Sequence, residues 1–227
     1  RIANEDDDVM LVTDSGRALR FSTTAVRVFK GRKSTGVRGI KLLGDDKVVS
    51  MSIIRHFEAS PDERSAYLKM RRAVAGMSDE EVNSPEEEEE EEINANATIS
   101  PEKYAEMSAA ENLILTITSS GSGKLSSSHD YPVRGRGGMG VSAIDKKMRG
   151  GLLVASFPVE IEDQIMLATS NGQSIRVPVE GISFRSRSAG GVKVFNTGED
   201  EQVVSVAWIA EKGDDADDTE AQVEDTH

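Results

Sequence analysis

The sequence predicts an all-β, propeller-like fold built from four-stranded blades, and three observations lead to it. Short runs of alternating, β-branched residues are typical of strands of about five residues. Ser-Gly or Asn-Gly pairs between such runs favour tight hairpins, because glycine accepts a positive φ. The same arrangement recurs three times along the 227 residues. Four-stranded units that repeat at a spacing of about 50 residues are the usual sequence pattern of propeller blades.

Each repeat contains a hairpin turn followed by an Arg-x-x-x-Gly-Val motif. The turn glycines are Gly16, Gly121 and Gly172, and the motif glycines are Gly36, Gly140 and Gly191. The offset from the turn glycine to the motif glycine is therefore nearly constant. The second and third turn glycines are separated by one repeat length, whereas the first and second are separated by about twice that length. The excess indicates an insertion at positions 55–110.

The insertion differs from the repeats in composition. Ser60-Pro61-Asp62-Glu63 is a helix start with a capping box, the helix should end before Gly76, and Ser100-Pro101-Glu102 is a second helix start. Residues 77–99 include seven consecutive glutamates at 86–92, so we expect a disordered acidic loop there. We therefore predict β-pinwheel-like blades at 1–54, 111–150 and 151–209, an acidic insertion of short helices and disordered loop at 55–110, and a disordered acidic tail at 210–227.

The net charge of −13 is unevenly distributed. Residues 9–54 hold nine lysines and arginines against three acidic residues, whereas residues 55–110 hold six against fifteen. The cations recur in and beside glycine-rich loops, whose small residues allow a phosphate backbone to approach, and such a stripe would bind duplex DNA without reading its sequence. A protein-interaction propeller stays an equal alternative on charge pattern alone. The cations predicted to contact DNA are Arg17, Arg20, Arg32, Lys33, Arg38, Lys124, Arg134, Arg136, Arg176, Arg185 and Arg187.

Other site chemistries find little support in the sequence. The chain contains no cysteine, which excludes disulfides and thiolate metal sites. The three histidines lie in different segments, and neither a catalytic triad nor a zinc site can be built from them. The run from Ser119 to Lys124 lacks the spacing of a phosphate-binding loop and fits a hairpin turn better. We predict no catalytic residue and no metal ligand.

Targeting signals are also missing from the pattern. No apolar stretch is long enough to span a bilayer, and the first residues do not resemble a signal peptide, so we expect a cytoplasmic protein without a membrane partner. The chain begins at Arg1 without an initiator methionine, and we expect it to be the C-terminal part of a longer polypeptide.

The run Thr35-Gly36-Val37-Arg38-Gly39-Ile40-Lys41-Leu42, with Asp46-Lys47-Val48-Val49-Ser50 after it, resembles the C-terminal domain of bacterial DNA gyrase A subunits. Residues 163–166 and 199–204 are similar to the same family. The resemblance covers residues 8–54 and 111–209 with the order preserved, and it corresponds to the last three blades and the acidic tail of that domain.

This resemblance implies a partial β-pinwheel, a propeller-like disc whose neighbouring blades exchange strands and whose basic rim wraps DNA. In that family, wrapping directs the ATP-dependent introduction of negative supercoils by the whole enzyme. The implied partners are double-stranded DNA, the remainder of a dimeric gyrase A subunit, and the gyrase B subunit in an A2B2 assembly. ATP and Mg²⁺ would be used elsewhere in the enzyme, so no cofactor is expected in this chain. The expected location is the cytoplasm, in association with the nucleoid.

The sequence also departs from the family pattern. The seven-residue basic box of the family's first blade has only a degenerate counterpart at 134–140, which has glycine and methionine in place of an arginine and a lysine. Tyr67, Tyr104 and Tyr131 do not match the context of the family's catalytic tyrosine. The homologous domain of topoisomerase IV and a protein-interaction scaffold stay open as alternatives. The insertion has no counterpart in the common pattern, and its acidic run is a candidate DNA mimic.

Overall fold

The structure is a computed structural model that describes residues 2–76, 97–145 and 150–209. Residues 77–96 of the predicted acidic loop and the predicted tail at 210–227 lie outside the described residues, so the disorder predicted for them stays a prediction. Within the described ranges the chain forms three antiparallel sheets and two helices. This confirms the all-β, propeller-like fold class with an inserted helical segment.

The first sheet is built on a hairpin of β1 (Asp7–Thr13) and β2 (Arg17–Ser22), with β3 (Val48–Arg55) on the other side of β1. Met10 and Val12 alternate with half-buried residues along β1, which is the periodicity of a strand with one face in the core. The hairpin turns at Gly16, whose φ is 88°. Gly121 and Gly172 have φ values of 76° and 81°, and the three predicted hairpin turns are therefore confirmed.

The second and third sheets repeat this plan. The second contains β4 (Leu113–Thr118), β5 (Ser122–Ser127) and β7 (Leu153–Val159), and the third contains β8 (Gln164–Thr169), β9 (Ser174–Pro178) and β11 (Val203–Ile209). In each sheet the first strand of the hairpin lies in the middle, between its hairpin partner and the later strand. A short 3-10 turn follows each hairpin, at Thr23–Ala25, Ser128–Asp130 and Val179–Gly181.

Neighbouring repeats exchange a short strand. β6 (Val141–Ser142) follows the second hairpin in the chain but pairs with β2, where Val141 lies opposite Ala18. β10 (Val192–Lys193) follows the third hairpin and pairs with β5, where Val192 lies opposite Gly123. Each of the first two sheets thus obtains its fourth strand from the next repeat, as the pinwheel prediction requires.

This exchange places the limits of the units differently from a simple division of the sequence. The predicted boundary between residues 150 and 151 assigns β7 to the third unit, but β7 pairs with β4 and lies in the second sheet. Likewise, β6 lies in the first sheet although it falls within the predicted unit 111–150. The pairing partner of a strand depends on packing between repeats, and the sequence spacing alone does not encode it.

The core lies between consecutive sheets. Met10, Val12 and Ile54 of the first sheet pack with Ile114 and Leu153 of the second. On the other face of the second sheet, side chains of β4 and β5 pack with those of the third sheet; these residues are Leu115, Ile117, Leu125, Ile165, Leu167 and Val203. Face-to-face packing of consecutive sheets buries the apolar stripes that one sheet cannot cover alone.

The insertion forms two helices, α1 (Pro61–Val74) and α2 (Pro101–Ala110). Ser60 and Glu63 make the predicted capping box, with the Ser60 hydroxyl accepting from the Glu63 amide and the Glu63 carboxylate accepting from the Ser60 amide. Tyr67 of α1 is fully buried, and its ring meets His129 edge to face at 5.1 Å. The insertion is therefore docked on the 3-10 turn of the second repeat.

Candidate nucleic-acid interface

The predicted DNA-contacting cations divide into buried and exposed groups, and Arg20 belongs to the first. Its Nε donates to Asp8 Oδ2 at 2.8 Å, while its Nη1 and Nη2 donate to the carbonyl oxygens of Ser128 and Arg55, each at 2.8 Å. The side chain is 3% exposed and Asp8 is fully buried. Arg20 thus joins the first sheet to the 3-10 turn of the second repeat, and a phosphate cannot reach it.

Lys124 is buried at the junction between the second and third repeats. Its Nζ donates to the carbonyl oxygens of Ser186, Arg187 and Ala189 at 2.8, 2.5 and 2.6 Å. Three acceptors match the three N–H groups of an ammonium. Burial lowers the pKa of Lys124 to about 7, because the charged form loses its hydration. This lysine orders the loop of the third repeat and is not part of a surface.

Arg187 ties the same two repeats together. Its Nε donates to Asp130 O at 2.8 Å and its Nη1 donates to Ser142 O at 2.7 Å. Its backbone N–H also donates to Asp130 Oδ2 at 2.6 Å. The prediction that Arg20, Lys124 and Arg187 contact DNA is therefore wrong, because all three are enclosed by the fold.

Arg136 makes the equivalent link one repeat earlier but keeps an exposed side chain. Its Nε donates to Ala25 O at 3.0 Å and its Nη1 donates to Arg38 O at 2.9 Å. Ala25 and Asp130 each end the 3-10 turn of the preceding repeat. Nε of Arg136 and Nε of Arg187 therefore donate to equivalent carbonyl oxygens in successive repeats. Arg136 combines a structural link with a surface location.

Two glycine-rich loops meet at the junction between the first and second repeats. The backbone N–H of Lys41 donates to Gly138 O at 2.8 Å, and that of Gly137 donates to Gly39 O at 2.5 Å. Residues 31–41 and 134–140 of the paired loops carry six exposed cations, which we call the junction strip: Arg32, Lys33, Arg38, Lys41, Arg134 and Arg136. Five of these belong to the predicted set. Lys41 does not, although it lies in the same glycine-rich run, so that run was the signal that could have identified it.

The junction strip is both uniformly positive and accessible. Neither residues 27–43 nor residues 131–141 contain an acidic residue. A methyl group added at Gly36 or Gly135 would meet no atom within 4 Å, so these backbone positions face open space. Small residues flanked by cations allow close approach of an anionic backbone, and fixed cations bind phosphates whatever the base sequence.

The other predicted cations do not join the junction strip. Arg17 is half-buried at the start of β2, opposite Ser142 of β6. Arg176 is exposed on β9. Arg185 is half-buried at the second junction, next to Phe184, whose ring lies 4.5 Å below the guanidinium of Arg71 in α1. The insertion therefore covers part of the second junction, while the first junction is open.

The two histidines within the described residues, His56 and His129, each contact an acceptor oxygen within the fold. His56 Nδ1 lies 3.0 Å from Asp8 Oδ1, and His129 Nε2 lies 2.8 Å from Met107 O. Among the described residues, no group of three or more His, Cys, Asp or Glu side chains is placed to hold a metal ion. No helix in the described part of the chain is both long enough and apolar enough to cross a bilayer.

The family model for the DNA gyrase C-terminal domain, a β-propeller, matches residues 7–55, 112–160 and 163–207. The chain belongs to this family. The three matched segments each contain one of the hairpins described above, and the gap between the first two contains the helical insertion. The gyrase C-terminal domain family thus accounts for the three sheets but not for α1 and α2.

Curated relatives carry the same family name. The chain is 43% identical over 227 aligned residues to the DNA gyrase A subunit of Granulibacter bethesdensis, an alignment that covers 94% of this chain and 24% of the relative. It is 39% identical to the DNA gyrase A subunit of Rickettsia bellii, covering 93% of this chain and 23% of the relative. The chain therefore spans about a quarter of the length of these relatives.

Solved structures support the fold. The C-terminal domain of a DNA topoisomerase IV matches with a TM-score of 0.62 at 20% identity, covering 92% of this chain and 48% of that one. The E. coli ParC C-terminal domain matches with a TM-score of 0.52 at 12% identity, covering 91% of this chain and 64% of that one. At these identities the likeness concerns the architecture alone.

Proposed function

We propose that this chain is the DNA-binding and DNA-wrapping C-terminal region of a DNA gyrase A subunit. The observation that carries the proposal is the junction strip, in which two hydrogen-bonded glycine-rich loops present six exposed cations and no acidic residue. Phosphate contacts of this kind release condensed counterions, which makes binding strong at low salt and independent of base sequence. The family and the identities to gyrase A subunits support the same function.

In the whole enzyme, wrapping would direct the ATP-dependent introduction of negative supercoils. This role places the chain in an assembly of two A and two B subunits on double-stranded DNA, in the nucleoid-containing cytoplasm. The DNA-cleaving site, the Mg²⁺ ions and the ATP sites would then lie in other parts of the enzyme. The energetic argument is that bending a short DNA site costs on the order of 1–6 kcal/mol, which phosphate contacts offset.

The test is duplex-DNA affinity of the chain across a salt series. In R38E/R134E, two strip cations change sign, and neither side chain donates a hydrogen bond to a described residue. We expect the affinity to fall at least about tenfold at low salt, and the log–log salt slope to decrease by about two. The matched control is K47E/K69E, which makes the same charge change at exposed lysines outside the strip.

Each outcome distinguishes the alternatives. A loss confined to R38E/R134E supports DNA contact at the junction strip. Equal losses of affinity in both variants would mean a diffuse charge effect. A wild-type chain that is folded but does not bind DNA at low salt would favour the protein-interaction scaffold. The identity of 43% to a gyrase A subunit favours gyrase over topoisomerase IV; introduction of negative supercoils by the whole enzyme, as against relaxation alone, separates those two.

A further inference from the structure

Residues 38–41 of the first repeat, which we call the anchored segment, are held by the glycine-rich loop of the second repeat. Nη1 of Arg136 donates to Arg38 O at 2.9 Å. At the other end of the segment, the amide of Lys41 donates to Gly138 O at 2.8 Å. The first bond comes from a side chain, whereas the second joins two main chains. Arg136 therefore fixes a stretch of main chain that belongs to the preceding repeat.

The side chains of the anchored segment divide between the core and the solvent. Ile40 is buried and packs in one cluster with Leu19 and Phe21 of β2. Arg38 and Lys41, on either side of it, are exposed and belong to the junction strip. Because the main chain is bonded at both ends and Ile40 is buried between them, the two cations leave the surface from fixed positions.

The second junction has the same frame without these cations. Nη1 of Arg187 donates to Ser142 O at 2.7 Å, and the amide of Asp145 donates to a carbonyl oxygen of the third repeat's loop at 3.4 Å. Counted from the motif valines, these two residues hold the positions of Arg38 and Lys41. The arginine link thus positions two cations at the first junction, and a hydroxyl and a carboxylate at the second.

We propose that Arg136 is a positioning residue for DNA, because it fixes the anchored segment so that Arg38 and Lys41 meet phosphates in place. This inference rests on the proposed function and assigns a role within it. A guanidinium suits the role because its planar fork donates in two directions, here to Ala25 O and Arg38 O. A binding group that is ordered before the ligand arrives loses less entropy on binding. Arg136 therefore acts on DNA through the anchored segment more than through its own charge.

The R136K variant separates position from charge, because lysine keeps the positive charge but lacks the fork that reaches both carbonyl oxygens. We expect R136K to bind duplex DNA about five- to tenfold more weakly than wild type at low salt. The log–log salt slope should stay within about 0.5 of the wild-type value, because the number of cations is unchanged. The matched control is R55K, which makes the same substitution at an exposed arginine outside the strip that also donates to a carbonyl oxygen, that of Ala109.

A second comparison shows whether Arg136 acts through the anchored segment. The R38Q/K41Q variant removes both cations of the segment and keeps its length. Adding R136K to this variant should lower the affinity by less than about a further twofold, because the cations that Arg136 positions are already missing. A loss of folding stability alone would weaken DNA binding equally in both backgrounds, so the difference between them reports positioning.

Amide hydrogen exchange tests the positioning in the absence of DNA. In R136K the amide of Lys41 should exchange at least about fivefold faster than in wild type, because its bond to Gly138 O loses the support of the adjacent link. The amide of Asp145 holds the same position at the second junction and serves as the internal control. Its exchange rate should not change.

Three results would overturn the inference. The first is unchanged exchange of the Lys41 amide in R136K, and the second is equal DNA affinity of R136K and R55K. The third is an equal loss of affinity from R136K with and without R38Q/K41Q. A folded wild-type chain that does not bind DNA at low salt would overturn the proposed function and the DNA role of Arg136 with it, while the exchange comparison would still show whether Arg136 fixes the anchored segment.

Discussion

Arg136 and Arg187 show that a cation at a repeated position need not face the ligand. Both arginines lie in the Arg-x-x-x-Gly-Val motif, and both donate through Nε to the last carbonyl of the preceding 3-10 turn. The motif arginine therefore recurs because the geometry of each junction requires it. The two residues differ in solvent exposure: Arg136 is exposed, whereas Arg187 is only 5% exposed.

The first prediction concerns Arg187. The R187K variant should lower the free energy of unfolding by about 1–3 kcal/mol, because one ammonium cannot reach both Asp130 O and Ser142 O and one of these partly buried carbonyl oxygens loses its partner. Urea denaturation measures this difference. The exposed Arg134 supplies the control, since R134K should change the free energy of unfolding by no more than about 0.5 kcal/mol. Equal effects of the two substitutions would contradict the assigned role.

At the scale of elements, local chemistry predicted some features well and others not at all. The capping box at Ser60 and the hairpin glycines depend on residues within four positions of each other, so the sequence reveals them. The two-residue strands β6 and β10 pair with β2 and β5, which belong to the preceding repeat. A strand of two residues has no periodicity to detect, and its partner is determined by packing.

The second prediction tests the exchanged strand β6. Gly140 precedes it with a φ of 73°, and a Cβ at this position would overlap the Ala18 carbonyl. The G140A variant should therefore lose at least about 2 kcal/mol of unfolding free energy, measured by urea denaturation. Gly135 is the matched control, because a methyl group there meets no atom within 4 Å. Equal stability of G135A and G140A would mean that the close contact of Gly140 with Ala18 does not contribute to the free energy of unfolding.

The third prediction concerns the docking of α1 and α2 on His129. Burial lowers the pKa of His129, with Arg20 and Arg64 acting in the same direction, while the bond to Met107 O and the Glu111 carboxylate oppose the shift. The rings of Tyr67 and Phe57 also face the imidazole. The neutral form is therefore the one that the docked helices accommodate, with Nε2–H donating to Met107 O.

The sign of the pH effect follows from this shift. Because the folded pKa lies below the unfolded value of about 6.5, the contribution of His129 is complete above pH 6.5 and is lost as the pH falls towards the folded pKa. Urea denaturation at pH 7.5 and 5.5 should therefore show a larger loss for wild type than for H129Q, which keeps a donor for Met107 O but does not titrate. Equal losses would exclude His129 as the titrating group.

At the scale of the whole molecule, the sequence predicted the architecture because it repeats, but it could not separate the buried cations from the exposed ones. Lys124 was expected on the surface, yet its three acceptors come from the motif loop of the following repeat. Lys41 was outside the predicted set, yet it lies in the junction strip because its amide pairs with Gly138. Burial of a charged side chain depends on which distant carbonyl oxygens the fold brings to it, and spacing along the chain does not contain that information.

The last prediction follows from the separation of charge over the whole chain. The net charge is −13, yet the loops of the junction strip contain no acidic residue, so the negative charge lies elsewhere, including the glutamates at 86–92. A tethered anionic segment competes with DNA phosphates for the same cations. Deletion of residues 77–99 should therefore tighten DNA binding several-fold at low salt, and the gain should disappear as salt screens both interactions.

The control for this deletion keeps the length of the segment and removes its charge. Replacement of the seven glutamates at 86–92 by glutamine should reproduce most of the gain in affinity, because the competition is electrostatic. Deletion of the acidic tail at 210–227 shows whether any anionic segment has the same effect. A glutamine variant that binds DNA as weakly as wild type, while the deletion variant binds more tightly, would mean that the segment acts by occupying space and not as a DNA mimic. In that case the segment would obstruct DNA at the first junction by its bulk. Adding neutral residues to the segment would then weaken DNA binding at all salt concentrations.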